Sequence, residues 1–174
     1  RVLVTGGAGF IGGALIRRLI DDSSLHIFNL DKLGYASNLI SINNKLSLSN
    51  NRETRYTFLK VDLFDKIALQ EAIEKIDPDL VFHLAAESHV DRSINGPKVF
   101  LESNIIGTFN LLECIRNHLE GLSKERKSFF RLLHISTDEV YGSLESNGHF
   151  SESTAYAPRS PYSATKASSD HLVK

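Results

Sequence analysis

Apolar and polar positions along the chain follow two periods, and each period predicts a different kind of element. Runs that are continuously apolar or alternate at every second residue predict five strands, at residues 2–5, 25–30, 56–61, 80–85 and 130–135. Apolar positions at helical spacing predict helices at residues 10–22, 66–76 and 100–117, from 161 onward, and briefly near 38–45. Strands that alternate with helices, without a clear hairpin signal between them, indicate an α/β fold with a parallel sheet.

Polar stretches between these elements are predicted to be loops. They cover residues 32–54, which are rich in Asn and Ser around the short helix, the charged residues 120–127, and residues 142–158. Right-handed crossovers bring the loops after the first four strands to one edge of a parallel sheet. We therefore expect a ligand, if there is one, to bind at that edge.

The first of these edge loops contains three glycines, at positions 6, 9 and 12, between the first strand and the first helix. Glycine permits a tight turn and close approach of the backbone to a pyrophosphate, and a helix N-terminus offers free N–H groups. The same spacing also occurs in strand–helix turns that bind nothing. The motif by itself therefore leaves both interpretations open.

An acidic residue ends the second predicted strand. Asp31 lies 19 residues after Gly12, a spacing at which a carboxylate can accept hydrogen bonds from both hydroxyls of an adenosine ribose. Its charge would repel a 2′-phosphate and so favours NAD over NADP, although an Asp at this position can also merely cap the loop. Together with the strand–helix alternation, these features predict a Rossmann-like, doubly wound parallel sheet.

A second group of reactive side chains begins the last predicted helix. Tyr162 and Lys166 are four residues apart and therefore share one helix face. A nearby ammonium lowers the pKa of a tyrosine, which can then take a proton from an alcohol while hydride leaves for a nicotinamide. The pair is common in ordinary helices, but here it follows the fifth strand, and Thr137 places a hydroxyl at the end of that strand.

Composition excludes several classes of function. The chain of 174 residues suits one domain, and its formal net charge of −1 provides no long-range attraction for nucleic acid or an anionic membrane. No apolar run approaches the length of a membrane span, no signal peptide is recognisable, and no metal site is predicted. The single cysteine, Cys114, is expected to be a small buried side chain, which favours a reducing cytoplasm. Because Arg1 abuts a strand and Lys174 falls within a helix, we expect a fragment of a longer protein.

Six stretches of the sequence resemble the extended short-chain dehydrogenases/reductases, and within them the nucleotide-sugar 4,6-dehydratases. They span the chain in the family's order: residues 5–12, 31–39, 84–93, 104–108, 136–142 and 160–173. The run Ala-Glu-Ser-His-Val-Asp-Arg-Ser in the third stretch, together with Ser-Thr-Asp-Glu-Val-Tyr-Gly in the fifth, makes the resemblance specific.

The resemblance implies a role for each matching position. Residues implied to bind NAD, in addition to the glycines and Asp31, are Phe10, Ile11, Lys32, Leu33, Gly34, Asp62, Leu63, Leu84, Ala85, Ala86, Ser88, Ser103, Tyr162 and Lys166. Tyr162 and Lys166 are implied to be the redox pair, while Thr137 and Ser88 are implied to contact the sugar. Asp138 and Glu139 are implied to be the acid and the base of an elimination.

The resemblance implies that the enzyme dehydrates a nucleotide hexose, and it implies dTDP-glucose as that substrate. Oxidation at C4 acidifies the C5 proton, Glu139 removes it, Asp138 protonates the leaving C6 hydroxyl, and hydride returns to C6, so that NAD is regenerated. Adjacent residues of a regular strand point to opposite faces. If both carboxylates serve one sugar, the backbone must therefore bend where the fifth strand ends.

Two alternatives remain open. An epimerase or decarboxylase acting on another nucleotide sugar would use the same redox pair, although Asp138 and Glu139 argue against an epimerase. A catalytically silent NAD-binding module is the other, since the family's C-terminal substrate-binding region is absent from these 174 residues. The isolated chain is therefore expected to have little activity. The resemblance also implies a homodimer that forms through residues 100–117 and the helix from 161. The base of the nucleotide sugar is not determined by these residues.

Overall fold

The computed structural model describes residues 1–48, 55–144 and 148–174, and within them a five-stranded parallel sheet in the order β3-β2-β1-β4-β5. Residues 49–54 of the loop predicted at 32–54, and residues 145–147 of the loop predicted at 142–158, lie outside the described residues. The strands are β1 (Val2–Thr5), β2 (Ile27–Asp31), β3 (Tyr56–Lys60), β4 (Leu80–His83) and β5 (Arg131–His134). All four strand pairs are parallel, which confirms the predicted α/β class and Rossmann-like sheet.

Eight α-helices flank this sheet in the described residues. They are α1 (Phe10–Leu19), α2 (Ile40–Ser47), α3 (Lys66–Ile76), α4 (Val90–Asn95), α5 (Lys98–Phe100), α6 (Gly107–Gly121), α7 (Lys124–Phe129) and α8 (Pro161–Val173). A π-helical segment, Leu101–Ile106, joins α5 to α6, so the helix predicted at 100–117 is part of a longer element that is irregular near its N-terminal end.

The predicted loop at residues 120–127 is wrong, because α7 begins within it. Ser123 caps this short helix by accepting a hydrogen bond from the N–H of Arg126, and none of its residues is buried. A charged helix without a buried face leaves no apolar period in the sequence. The helix α4 was not predicted for a similar reason, since only Ser93 among its six residues is buried.

Residues of the central strand β1 alternate between two hydrophobic cores. Leu3 belongs to the core that contains Leu69 and Ile73 of α3 and Leu111 of α6. Val2 and Val4 belong to the other core, with side chains from α1 and α2. Since successive strand residues point to opposite faces, helices cover both faces of the sheet, as the doubly wound prediction requires.

Strand order reverses between β1 and β4. The chain moves outward from β1 through β2 to β3, and then returns to the other side of β1 to form β4 and β5. At such a switch point the loops that follow the two neighbouring strands diverge and leave a crevice at the carboxyl edge of the sheet. No helix in the described part of the chain is long and apolar enough to cross a membrane.

Candidate active site

A cleft of about 370 Å³ opens at this switch point. The residues that line it come from the loops after all five strands, the end of β2, the first turn of α1, the π segment and α8. Every residue predicted to bind the cofactor lines the cleft except Leu33. Leu33 has a positive φ of 59° and donates its backbone N–H to Asp31 Oδ1 at 2.8 Å, so it shapes the turn after β2 instead.

The three glycines of the first loop differ in how strongly their surroundings exclude a side chain. Gly6 has a φ of 71°, and a Cβ added there would lie 2.6 Å from the backbone of Ala85, so glycine lets the turn after β1 pass this close to the loop after β4. A Cβ at Gly12 would lie 2.3 Å from the carbonyl oxygen of Gly6, because α1 packs directly on the turn. Gly9 is less restricted, with Gly6 O at 3.2 Å as its nearest contact, and it faces the cleft.

The N-terminus of α1 points its uncapped end at the cleft. Gly9 is the N-cap and has no side chain to bond the first-turn N–H groups, and no acidic residue occupies the first turn. Phe10 is 94% exposed and Ile11 60% exposed at this end. Free N–H groups and the positive end of the helix dipole make this position suitable for a phosphate group.

Asp31 already serves the loop around it. Its carboxylate is 7% exposed and accepts hydrogen bonds from Ala8 N at 3.0 Å, Leu33 N at 2.8 Å and Ser37 Oγ at 2.9 Å. A carboxylate has about four lone-pair sites, so roughly one remains for a ligand hydroxyl. The loop-capping and ribose-binding interpretations of Asp31 are therefore compatible, with Ser37 as the contact that a second ribose hydroxyl would displace.

Two side chains of the loop after β2, those of Lys32 and Tyr35, make contacts with the opposite wall. Lys32 Nζ donates to Ser103 Oγ at 2.8 Å and lies 3.3 Å from Glu87 Oε1. The guanidinium carbon of Arg92 lies 3.6 Å from the ring centroid of Tyr35. Seven lining residues, in addition to Tyr35, are absent from the sequence-based cofactor set: Leu30, Ala36, Ser37, Val61, Glu87, Ile135 and Ser136. Their positions next to predicted residues at strand ends are the signal that could have found them.

Tyr162 and Lys166 project from the first turns of α8 at the far end of the cleft. The helix begins with a capping box between Ser160 and Ser163, with Pro161 in its first turn. Tyr162 is 9% exposed and its ring packs edge-on against Phe100 at 6.4 Å. Lys166 is 4% exposed, and its Nζ donates to the carbonyl of Ile135 at 2.6 Å. Both side chains line the same cleft wall, as the helical spacing predicts.

The electrostatics of this pair differ from the sequence-based expectation. Burial raises the pKa of Tyr162, a hydrogen bond with Thr137 lowers it, and the carboxylates of Glu139, Asp138 and Asp170 raise it further. The predicted lowering by Lys166 is wrong for this structure. Burial instead lowers the pKa of Lys166 to about 8, and its ammonium is directed at the carbonyl of Ile135. Desolvation is therefore the largest influence on the pKa of each group.

The bend predicted after the fifth strand is present. β5 ends at His134, Thr137 is extended with a φ of −149°, and Asp138–Tyr141 form a 3₁₀ turn. Thr137 Oγ1 caps this turn by accepting from Glu139 N at 3.3 Å. Asp138 and Glu139 are exposed and lie beyond the lining of the cleft, but within electrostatic range of Tyr162.

The π-helical segment holds a buried residue to which the sequence assigned no role. Asn104 is 1% exposed; its Oδ1 accepts from Glu87 N at 2.8 Å, and its Nδ2 donates to Glu87 O and to Thr165 Oγ1, both at 2.9 Å. It therefore connects the loop after β4 to α8 through buried hydrogen bonds. Within the described residues no cluster of three or more His, Cys, Asp or Glu side chains forms a metal site.

Comparisons with known proteins agree with this architecture. The profile of the GDP-mannose 4,6-dehydratase family matches residues 3–174. A probable dTDP-glucose 4,6-dehydratase of Sinorhizobium fredii is 53% identical over 173 residues, which cover 99% of this chain and 48% of that protein. The chain thus spans about half the length of the curated relatives it matches.

Solved structures show the same fold in two enzyme classes. The crystal structure of DesIV, a dTDP-glucose 4,6-dehydratase of Streptomyces venezuelae with NAD bound, superposes with a TM-score of 0.80 at 40% identity, over 99% of this chain and 50% of that one. A UDP-glucose 4-epimerase of Thermus thermophilus in complex with NAD gives a TM-score of 0.80 at 31% identity, over 99% of this chain and 49% of that one.

Proposed function

Because the chain belongs to the GDP-mannose 4,6-dehydratase family, we propose that it forms the NAD-binding half of a hydro-lyase that dehydrates dTDP-glucose to dTDP-4-keto-6-deoxyglucose. Residues 1–174 would be the dinucleotide-binding domain, and the region that recognises the nucleotide sugar would lie outside these residues. The observation that carries this proposal is the placement of Asp138 and Glu139 on a turn beside Tyr162, since two carboxylates next to a redox pair suit elimination.

The cleft fits a dinucleotide along its length. The uncapped N-terminus of α1, beside Gly9, suits the pyrophosphate, and Asp31 has an acceptor site left for a ribose hydroxyl. Tyr162 and Lys166 stand at the other end, where the nicotinamide would lie. When bound, NAD would supply the hydride acceptor for oxidation at C4 and the hydride donor for reduction at C6.

The chain's own residues would move the protons. Thr137, whose hydrogen bond favours loss of the proton from Tyr162, orients Tyr162 to take the proton of the C4 hydroxyl. Glu139 removes the C5 proton once C4 is a ketone, and Asp138 protonates the C6 hydroxyl so that water leaves. Ser88, which is exposed on the cleft wall, and Thr137 would contact the sugar.

We also propose a homodimer in the cytoplasm. Leu101, Ile106 and Phe109 on the element that runs through the π segment into α6 are each more than 40% exposed, and Ile67 of neighbouring α3 is 76% exposed. A second copy of the chain would cover this apolar surface. The cytoplasmic assignment rests on Cys114, which is buried and unpaired and whose thiol pKa is raised by burial.

Glu139→Gln tests the dehydratase, in the native-length polypeptide that contains this chain. Oxidation at C4 would proceed while removal of the C5 proton fails, so bound NADH should accumulate and the 4-keto-6-deoxy product should fall by a factor on the order of 10² to 10⁴. Glu120→Gln, at an exposed position of α6, is the control and should behave as wild type. Full dehydration by Glu139→Gln would contradict the assigned role.

The epimerase alternative is tested by the wild-type product. The similarity to the Thermus thermophilus epimerase is the observation that favours it. Incubation with dTDP-glucose, UDP-glucose and GDP-mannose in parallel should yield a keto-deoxy sugar from the first, whereas a C4 epimer without loss of water would establish the alternative. The isolated 174-residue chain should bind NAD without turnover, and turnover by that chain would refute the need for a further region.

A further inference from the structure

The buried face of α8 carries polar and charged side chains where an ordinary helix buries apolar ones. Ser163, Thr165, Lys166, Ser169 and Asp170 are each at most 6% exposed. Burying so many polar groups destabilises a fold unless each finds a partner. The partners of Asp170 show what this residue does.

The carboxylate of Asp170 joins three separate segments. His134 Nε2, at the end of β5, donates to Oδ1 at 3.1 Å. Ser136 Oγ, in the segment that leads to Thr137, donates to Oδ2, and the hydroxyl of Tyr156 donates to the same oxygen at 2.9 Å. One side chain therefore ties the end of β5 and the loop before α8 to the helix that carries the redox pair.

Asp170 also shares a helix face with that pair. It lies four residues after Lys166 and eight after Tyr162, so the three side chains lie along one side of α8. Lys166 in turn donates to the carbonyl of Ile135, which lies between His134 and Ser136, the two residues that donate to Asp170. The helix and the strand end are thus joined at both a charged amine and a carboxylate.

Charge balance in this cluster depends on Asp170. His83 of β4 and His134 of β5 lie 5.1 Å apart, and burial lowers the pKa of each, that of His134 to about 4, so both rings are neutral near pH 7. Lys166 is the buried cation, and Asp170 is the carboxylate that acts to keep its proton on. Tyr156 faces the same carboxylate, and Asp138 and Glu139 of the 3₁₀ turn face Tyr162.

We propose that Asp170 is a positioning residue for the redox pair: it holds the β5 end and Thr137 against α8 and stabilises the buried ammonium of Lys166. It acts on the reaction through Lys166 and Tyr162, and it does not line the cleft. The inference rests on the proposed function for the chemistry of that pair, but the contacts of Asp170 stand without it.

Asp170→Asn removes the charge and keeps the shape of the side chain. In the native-length polypeptide, we expect the ¹³C NMR titration of the Lys166 side chain to move to lower pH by about one unit or more, because an opposite charge nearby is lost. The Asp170 charge also raises the pKa of Tyr162, so both limbs of the pH profile of kcat should move in the same direction. A merely structural role would lower kcat without moving the limbs.

Tyr156→Phe is the matched control, since it removes one hydrogen bond to Asp170 and keeps both the ring packing and the charge. It should leave the titration of Lys166 in place. Asp170→Ser is a second neutral variant, smaller than Asn, and should reproduce the shift if Asn disturbs folding. An unchanged Lys166 titration in a folded neutral variant would overturn the proposal.

The NMR measurement needs no turnover and therefore separates the two proposals. A shift in Lys166 in a protein that converts no nucleotide sugar would refute the proposed function and retain the role of Asp170 in charging Lys166. Normal dehydration by Asp170→Asn with an unmoved pH profile would support the proposed function and refute the role of Asp170.

Discussion

The two ends of the cleft are organised by different physical forces. At the glycine end, backbone meets backbone: a Cβ at Gly6 or Gly12 would come within 2.6 Å or less of main-chain atoms. At the end occupied by Tyr162 and Lys166, buried polar side chains meet one another, and burial shifts the pKa values of both groups. The first end depends on steric fit, which does not change with pH, whereas the second depends on charge, which does.

This difference predicts opposite responses to substitution. A change at the glycine end should cost stability equally at every pH. A change at the catalytic end should alter stability by an amount that depends on the protonation state of Lys166. The three predictions below test this contrast, from the largest expected effect to the smallest.

Gly12→Ala should produce the largest effect. Its Cβ would lie 2.3 Å from Gly6 O and 2.7 Å from Gly7 Cα, so the helix α1 must move away from the turn. We expect a loss of about 3 kcal/mol or more in the free energy of unfolding, measured by urea denaturation, and the same loss at pH 6 to 9 within about 0.5 kcal/mol.

Gly13→Ala is the matched control in the same helix. Its Cβ would meet nothing closer than 3.6 Å, and alanine favours a helix by about 0.5 to 1 kcal/mol over glycine. The control should therefore be as stable as wild type or more stable. Equal losses in both variants would show that α1 does not depend on close approach at Gly12.

Lys166→Met should change stability in a pH-dependent way. The pKa of Lys166 falls from 10.5 to about 8 on folding, so between these values the unfolded chain binds a proton that the native state lacks. Stability of the wild type therefore rises with pH from about 8 upward, and the buried charge costs about 3 kcal/mol below that pH.

Methionine lacks this charge but also lacks the hydrogen bond to Ile135, worth about 1 kcal/mol. The variant should be about 2 kcal/mol more stable than wild type near pH 7, and the gain should disappear as the pH rises through 8 and above. Lys75→Met, at an exposed lysine of α3, should show no such trend. A gain that is constant with pH would contradict the contrast between the two ends.

Asp31→Asn should have the smallest effect on stability, and it tests whether charge also matters at the glycine end. The amide can accept from only one oxygen, so one of the three donors to Asp31 loses its partner, at a cost of about 1 to 2 kcal/mol. The ratio of NADP to NAD affinity, measured by calorimetry, should rise because the carboxylate no longer repels a 2′-phosphate.

Asp65→Asn provides the comparison for that measurement. Asp65 caps α3 by accepting a single N–H bond from Ala68, and Asn is as good an N-cap as Asp. This variant should retain wild-type stability and cofactor preference. An unchanged preference in Asp31→Asn would indicate that the carboxylate serves only the loop.

Much of the sheet and most of the cleft could be predicted from the sequence. Buried strands leave apolar runs, and the five strands appear within about two residues of their predicted ends. Ligand loops follow strand ends, which is why almost all predicted cofactor residues line the cleft. Leu33 is the one predicted cofactor residue that does not line the cleft, and no pattern in the sequence records its φ of 59°.

Other features required the tertiary structure. The helix α7 has no buried residue and hence no period to detect. The π segment holds Asn104, whose partners Glu87 and Thr165 are distant in sequence. The expected lowering of the Tyr162 pKa considered only the neighbouring ammonium. Burial and three carboxylates, brought together by folding, reverse its direction.

The sequence by itself determined the order of the five strands and of the helices that have an apolar face, the glycine turn, and the pairing of Tyr162 with Lys166, because these depend on residue types at short, regular spacings. Only the tertiary structure decided the protonation of that pair and its attachment to β5 through Asp170. Desolvation and Coulomb interactions depend on which distant groups surround a side chain, and folding alone brings those groups together.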